Sequence, residues 1–200
     1  MKSMKTGITG ILFLGLLFTG CNNQGNKTPK TSDETAIEGN MPMEKTIAEY
    51  PTAEAILSPA SGSSVNGKVT FTQVGDSVMI VLDATGLAPG KHAFHLHEKG
   101  DCSASDATSA GGHWNPTNMP HGKRGQGQFH KGDIDNIVAG TDSTSHFEMK
   151  VSGWTIGGSD TTNILGKAVI LHAGADDFTS QPSGAAGARV ACGVIEKKAQ

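Results

Sequence analysis

Lys68-Val69-Thr70-Phe71-Thr72 is followed, across Gln73-Val74-Gly75-Asp76, by Ser77-Val78-Met79-Ile80-Val81-Leu82-Asp83, and this pair of runs decides the fold class. The first has the apolar and polar alternation of a strand, the second is rich in Val and Ile, and the segment between them suits a hairpin connection. Outward from the pair, residues 83–90 are turn-like and residues 92–97 return to an extended pattern. Strand-like runs resume at 134–139, 145–151, 164–172 and 188–195, and no long helical periodicity occurs. Seven or eight short strands imply an all-β sandwich or barrel. Two long segments interrupt them, 100–133 and 173–187, both dominated by small and polar residues. The first is too long and too poor in apolar side chains to be ordered by a hydrophobic core.

The chain has 200 residues, and its first twenty do not fit that pattern. Lys2 and Lys5 precede an uncharged, largely apolar run at 8–18, too short to span a bilayer and suited to the apolar region of a signal peptide. Leu17-Phe18-Thr19-Gly20-Cys21 then leads into polar residues and resembles a bacterial lipobox, with Phe18 where Leu is usual. The expected organisation is a lipoprotein signal peptide over 1–20, a lipidated Cys21 with a flexible tether over 21–51, and one folded domain over 52–200. Acyl chains on Cys21 would hold the domain at a membrane surface of the bacterial envelope, facing the periplasm or the exterior. Removing residues 1–20 takes two lysines from a formal charge of −3, and with no long basic run the chain gives no support to nucleic-acid binding. Export leaves Cys102 and Cys192 as an even pair in an oxidising compartment; a disulfide is the expected use, against two buried thiols or metal ligands.

All eight histidines fall between His92 and His172. In Phe94-His95-Leu96-His97, residues two apart project to one face of a strand, so both imidazoles can approach one ion. His146 stands alone in a later run, and His92, three positions before His95, points to the other face. His113, His121, His130 and Asp133 lie within the long loop. Nitrogen and carboxylate donors without a thiolate suit a closed zinc site, and a metal would order this segment. No His-Glu-x-x-His motif, nucleophile elbow or dinucleotide fingerprint is present.

The run 93–101 with Gly112-His113-Trp114-Asn115-Pro116, Val169-Ile170-Leu171-His172 and the run 186–195 resembles the copper/zinc superoxide dismutase family, in its bacterial exported branch. The resemblance covers residues 52–196 and implies a Greek-key barrel. It implies copper held by His95, His97, His113 and His172, and zinc held by His113, His121, His130 and Asp133, so that His113 bridges the ions. Asp176 matches the aspartate that links His121 to His95, and Arg189 matches the cation beside the copper at the channel mouth. The implied activity is dismutation of superoxide by alternating reduction and oxidation of copper, with His113 and Arg189 as catalytic groups. A copper-handling domain of the same fold is the rival reading, and the complete ligand set with Arg189 separates the two.

Two departures qualify this transfer. Cys102 lies five residues after His97, closer than in animal cytosolic enzymes. The loop 177–188 contains no lysine, which leaves anion steering to Arg189 or to lysines elsewhere such as Lys123 and Lys131. A homodimer is compatible with the family, but the eukaryotic interface is not carried over.

Overall fold

The computed structural model describes residues 50–198. The signal peptide, Cys21 and all but the last two residues of the tether expected over 21–51 lie outside them. Nine antiparallel strands follow in order: β1 (Thr52–Pro59), β2 (Asn66–Val74), β3 (Ser77–Thr85), β4 (Gly90–His97), β5 (Asp133–Ala139), β6 (Thr144–Ser152), β7 (Ala168–His172), β8 (Arg189–Val194) and the short β9 (Glu196–Lys197). Among the described residues the only helical element is a 3-10 turn at Thr108–Ala110.

The strands run β5-β4-β7-β8-β1-β2-β3-β6, with β9 beside β1. The neighbours β4–β7 and β8–β1 are distant in sequence, which gives the Greek-key crossovers, and the end strands β5 and β6 meet to nearly close the barrel. The expected hairpin is present, with Val69 opposite Leu82 and Phe71 opposite Ile80. All four are fully buried, and each such side chain contributes about 1.5–3 kcal/mol on burial.

Two expected boundaries change. β1 was not among the strand-like runs, because its inward positions include Ala53 and Ala55, whose small side chains carry a weak strand signal. The run expected over 164–172 begins as strand only at Ala168, since Gly166 at φ +71 turns the chain and the Ile164 N–H donates to the Thr155 carbonyl instead of a ladder partner.

β4 and β7 position the site. From His92 to His97 every residue of β4 is buried, and so is all of β7. Phe94 and Leu96 join the barrel core, while His95 and His97 face outward yet are only 0% and 1% exposed, because the long loops cover them. Cys102 and Cys192 are disulfide-bonded, with Cα atoms 5.8 Å apart, which ties the first long loop to β8. A small apolar cluster of Ala60, Ala107, Ala110, Ala168 and Ile170 packs around the bond.

Candidate metal centre

Strand period places His95 and His97 on one face of β4, and the pairing of His95 with Ile170 brings the end of β7, with His172, alongside. His113 reaches them through an isolated antiparallel bridge with His97. Its ring centroid lies 4.0 Å from that of His95 and 5.0 Å from that of His97. On the other side it is 5.3 Å from His121 and 5.4 Å from His130. Two donor sets result, His95/His97/His113/His172 and His113/His121/His130/Asp133, each with ligand atoms within 4.8 Å of one another and every member buried. His113 belongs to both.

The hydrogen bonds fix how these rings are presented. His95 Nε2–H donates to Asp176 Oδ2 (2.8 Å), His97 Nδ1–H to the Gly111 carbonyl (2.9 Å) and His172 Nδ1–H to the Gly187 carbonyl (3.2 Å). Each partner can only accept, so each ring carries its proton there and turns a lone pair the other way. Those opposite atoms, His95 Nδ1, His97 Nε2 and His172 Nε2, together with His113 Nε2, are buried and have no hydrogen-bond partner. Four orphaned nitrogens from one donor set are costly unless a cation binds them.

In the second set His113 Nδ1 lies 2.8 Å from Asp133 Oδ1, His121 Nδ1 3.1 Å from Asp133 Oδ2, and His130 Nδ1 3.4 Å from His113 Nδ1. Tetrahedral zinc bonds imply donor–donor spacings of about 3.3 Å, so the cluster is near the required size. His121 Nδ1 is close to its carboxylate but not directed along a hydrogen bond, and it too is orphaned. His113 therefore turns Nδ1 toward one set and Nε2 toward the other.

The charge states of the first donor set suit metal uptake. Burial, reinforced by neighbouring histidines, holds His97 well below its usual value and lowers His113 to about 4 and His172 to about 3, so all three are neutral at pH 7. Burial opposes ionisation of Asp133 and Asp176, but hydrogen bonds from the histidines hold both well below the usual carboxylate range. Burial likewise opposes charge on His121, yet the two carboxylates beside it raise it to about 9.

Asp176 joins the halves, since its Oδ1 accepts from His121 Nε2 (2.9 Å) while Oδ2 accepts from His95. Two amide side chains brace this link, and sequence reading missed both. Asn136 of β5 pairs with the backbone N–H and carbonyl of Asp176 (2.7 and 2.9 Å), and Gln181 does the same for His121 (2.9 Å each). Gly184 passes directly over the Asp176–His121 bond, where any Cβ would collide with both side chains. His92 does face away from His95, but its ring nitrogens lie 2.9 Å from the carbonyl oxygen of His172 and 2.7 Å from that of Ala88. His146 is remote, on the exposed face of β6 beside Asp83.

A cavity of about 370 Å³ opens over His97, His113 and His172, with Pro182, Ser183 and Arg189 in its walls. The Arg189 guanidinium is fixed by bonds of 2.7 Å to the carbonyls of Ala107 and Gly111, and β-pairing sets Arg189 opposite His172. Neither Lys123 nor Lys131 lines the cavity; the Lys123 ammonium lies over the Phe178 ring at 4.8 Å.

Residues 65–195 match the family profile described as copper/zinc superoxide dismutase. The chain is 35% identical to the extracellular superoxide dismutase [Cu-Zn] of Brugia pahangi over 84% of its own length and 90% of that protein. It is 38% identical to the superoxide dismutase [Cu-Zn] of Caulobacter vibrioides over 72% of its length and 85% of that protein. Among solved structures, the crystal structure of the clock protein EA4 superposes with a TM-score of 0.66 at 37% identity, covering 76% of this chain and 98% of that one.

Proposed function

The chain belongs to the copper/zinc superoxide dismutase family, and we propose that His95, His97, His113 and His172 hold its copper while His113, His121, His130 and Asp133 hold its zinc. The protein is an enzyme that converts two superoxide anions and two protons into dioxygen and hydrogen peroxide. The observation that carries the residue assignment is the four orphaned ring nitrogens of the first donor set, which converge where a cation would satisfy them. Copper bound there would supply the one-electron redox chemistry that dismutation needs, whereas zinc does not change valence.

The remaining chemistry belongs to the chain. Arg189, charged at every working pH, draws a small anion into the cavity and holds it beside His97 and His172. His113 Nε2 is the nitrogen turned toward the His95, His97 and His172 set, so a proton held there would be available to the product as it leaves. Asp133 and Asp176 keep the imidazoles in fixed tautomers, and the bonds to Gly111 and Gly187 keep His97 and His172 aimed.

The disulfide and the extracellular relative fit an exported protein. On that basis residues 1–20 are read as a signal peptide, Cys21 as the lipidated terminus and the following segment as a tether, anchoring the enzyme to the bacterial envelope. Cys21→Ser should release it from membranes; retention there would defeat the anchor. For the enzyme, metal analysis coupled to a superoxide-decay assay is the direct test. About one copper and one zinc per chain is expected, with activity that tracks copper; histidine substitutions in either set that leave both metal contents unchanged would overturn the assignment.

A further inference from the structure

The chain has two arginines, and the reaction uses only Arg189. The other, Arg124, lies in the loop between two zinc-set residues, His121 and His130. Its hydrogen bonds go to backbone carbonyls: Nε donates to the carbonyl of Asp133 (2.6 Å) and a terminal nitrogen to that of Lys131. These two carbonyls flank Gly132, which is itself held against β4, because its N–H donates to the Trp114 carbonyl (2.8 Å) and its carbonyl accepts from the Leu96 N–H (2.9 Å). The guanidinium is also bracketed by rings, with Phe129 5.0 Å and Trp154 5.2 Å from its carbon to their centroids. Trp154 is fully buried, and its indole N–H donates to the same Lys131 carbonyl at 3.0 Å.

The segment that carries Arg124 therefore holds Asp133 from two directions. The Gly122 N–H donates to the Asp133 carboxylate (3.2 Å), alongside the His130 N–H (2.8 Å), while Arg124 holds the main chain of the same residue. We propose that Arg124 is a positioning residue of the zinc set, its planar fork locking the turn from His130 to Asp133 onto the Trp154 shelf so that both donors meet the ion at one fixed spacing. A lysine has a single ammonium and no plane to lay between two rings, so it cannot reproduce the arrangement. The loop has little apolar packing of its own, and Arg124 supplies the order that a core would supply elsewhere.

This rests on the zinc assignment above, for which Asp133→Ala is the control: if that assignment is wrong, Asp133→Ala keeps the zinc content of the parent. The test compares the loaded parent with Arg124→Met, which fills the space between the rings without donors, and with Arg124→Lys. Zinc release to an excess of chelator is timed against copper release, and cobalt(II) placed in the zinc set reports geometry through its visible spectrum. Expected are zinc release faster by about 10-fold or more in Arg124→Met, an intermediate rate in Arg124→Lys, a shifted cobalt spectrum and unchanged copper retention. Zinc release within twofold of the parent, or copper and zinc lost faster by the same factor, would overturn the proposal. Should Arg124→Met fail to fold, Arg124→Lys carries the same comparison.

Discussion

Arg189 and His97 donate to the same oxygen, the Gly111 carbonyl, at 2.7 and 2.9 Å. The proposed anion-binding group and a proposed copper ligand are thus registered through one backbone atom. Gly111 has φ +75, so the turn that offers its carbonyl is one a side chain would strain.

Arg189→Ala should slow turnover by about 10-fold or more and flatten its dependence on ionic strength, since the cavity loses the cation that attracts the substrate. Copper content should stay near the parent value, because His97 keeps its own bond to Gly111. Superoxide decay followed across a salt series checks this, and an unchanged salt dependence would reject the steering role.

Much of the site was legible because its spacing is physical. His95 and His97 obey the two-residue strand period, and the loop holding His113, His121, His130 and Asp133 lacks any other means of being ordered. His172 and Arg189 came from resemblance, since each stands alone in its run and gains meaning only when β7 and β8 pair. Asn136 and Gln181 were not legible: each grips backbone atoms, which every residue has, so no pattern of side chains announces the contact. Arg124 was visible as a rare residue, but its work depends on Trp154, thirty positions away and brought near by folding.

Zinc uptake should release a proton. Burial opposes charge on His121, yet Asp133 and Asp176 raise its pKa from 6.5 to about 9 in the metal-free site. With the folded value raised, its contribution to metal-free stability is complete below about pH 6.5 and is lost as pH rises through about 9. Zinc needs the Nδ1 lone pair, so binding at pH 7–8 should expel about one proton from this ring and none well above pH 9. Calorimetry in buffers of differing ionisation enthalpy measures the count. A count that did not fall above pH 9 would mean the proton comes from elsewhere.

The disulfide closes a separation of 90 residues, for which chain entropy predicts about 4–5 kcal/mol of stabilisation. Cys192→Ser with Cys102→Ser should lower the melting temperature by on the order of 10 °C. Activity should fall beyond what unfolding explains, because Ala107 and Gly111, which fix Arg189, belong to the loop that Cys102 anchors. Activity measured well below the melting temperature separates the two effects; full activity there would show that the loop holds its shape unaided.

Gln181 makes a sharper prediction, because its contact is with a zinc-set residue while its neighbours form the channel wall. Its amide accepts from the His121 N–H and donates to the His121 carbonyl, and Pro182 and Ser183 follow immediately in the cavity lining. Gln181→Met keeps the length but loses both bonds, each worth about 1 kcal/mol net, so the His121 amide should exchange with solvent several-fold faster. Gln181→Glu should be worse, since it sets a carboxylate against the His121 carbonyl where the amide donated. Amide exchange resolved at His121 and Gly184 would read both variants. If Gln181→Glu proved as protected as the parent, the clamp would not be what holds the second loop over the metal centre.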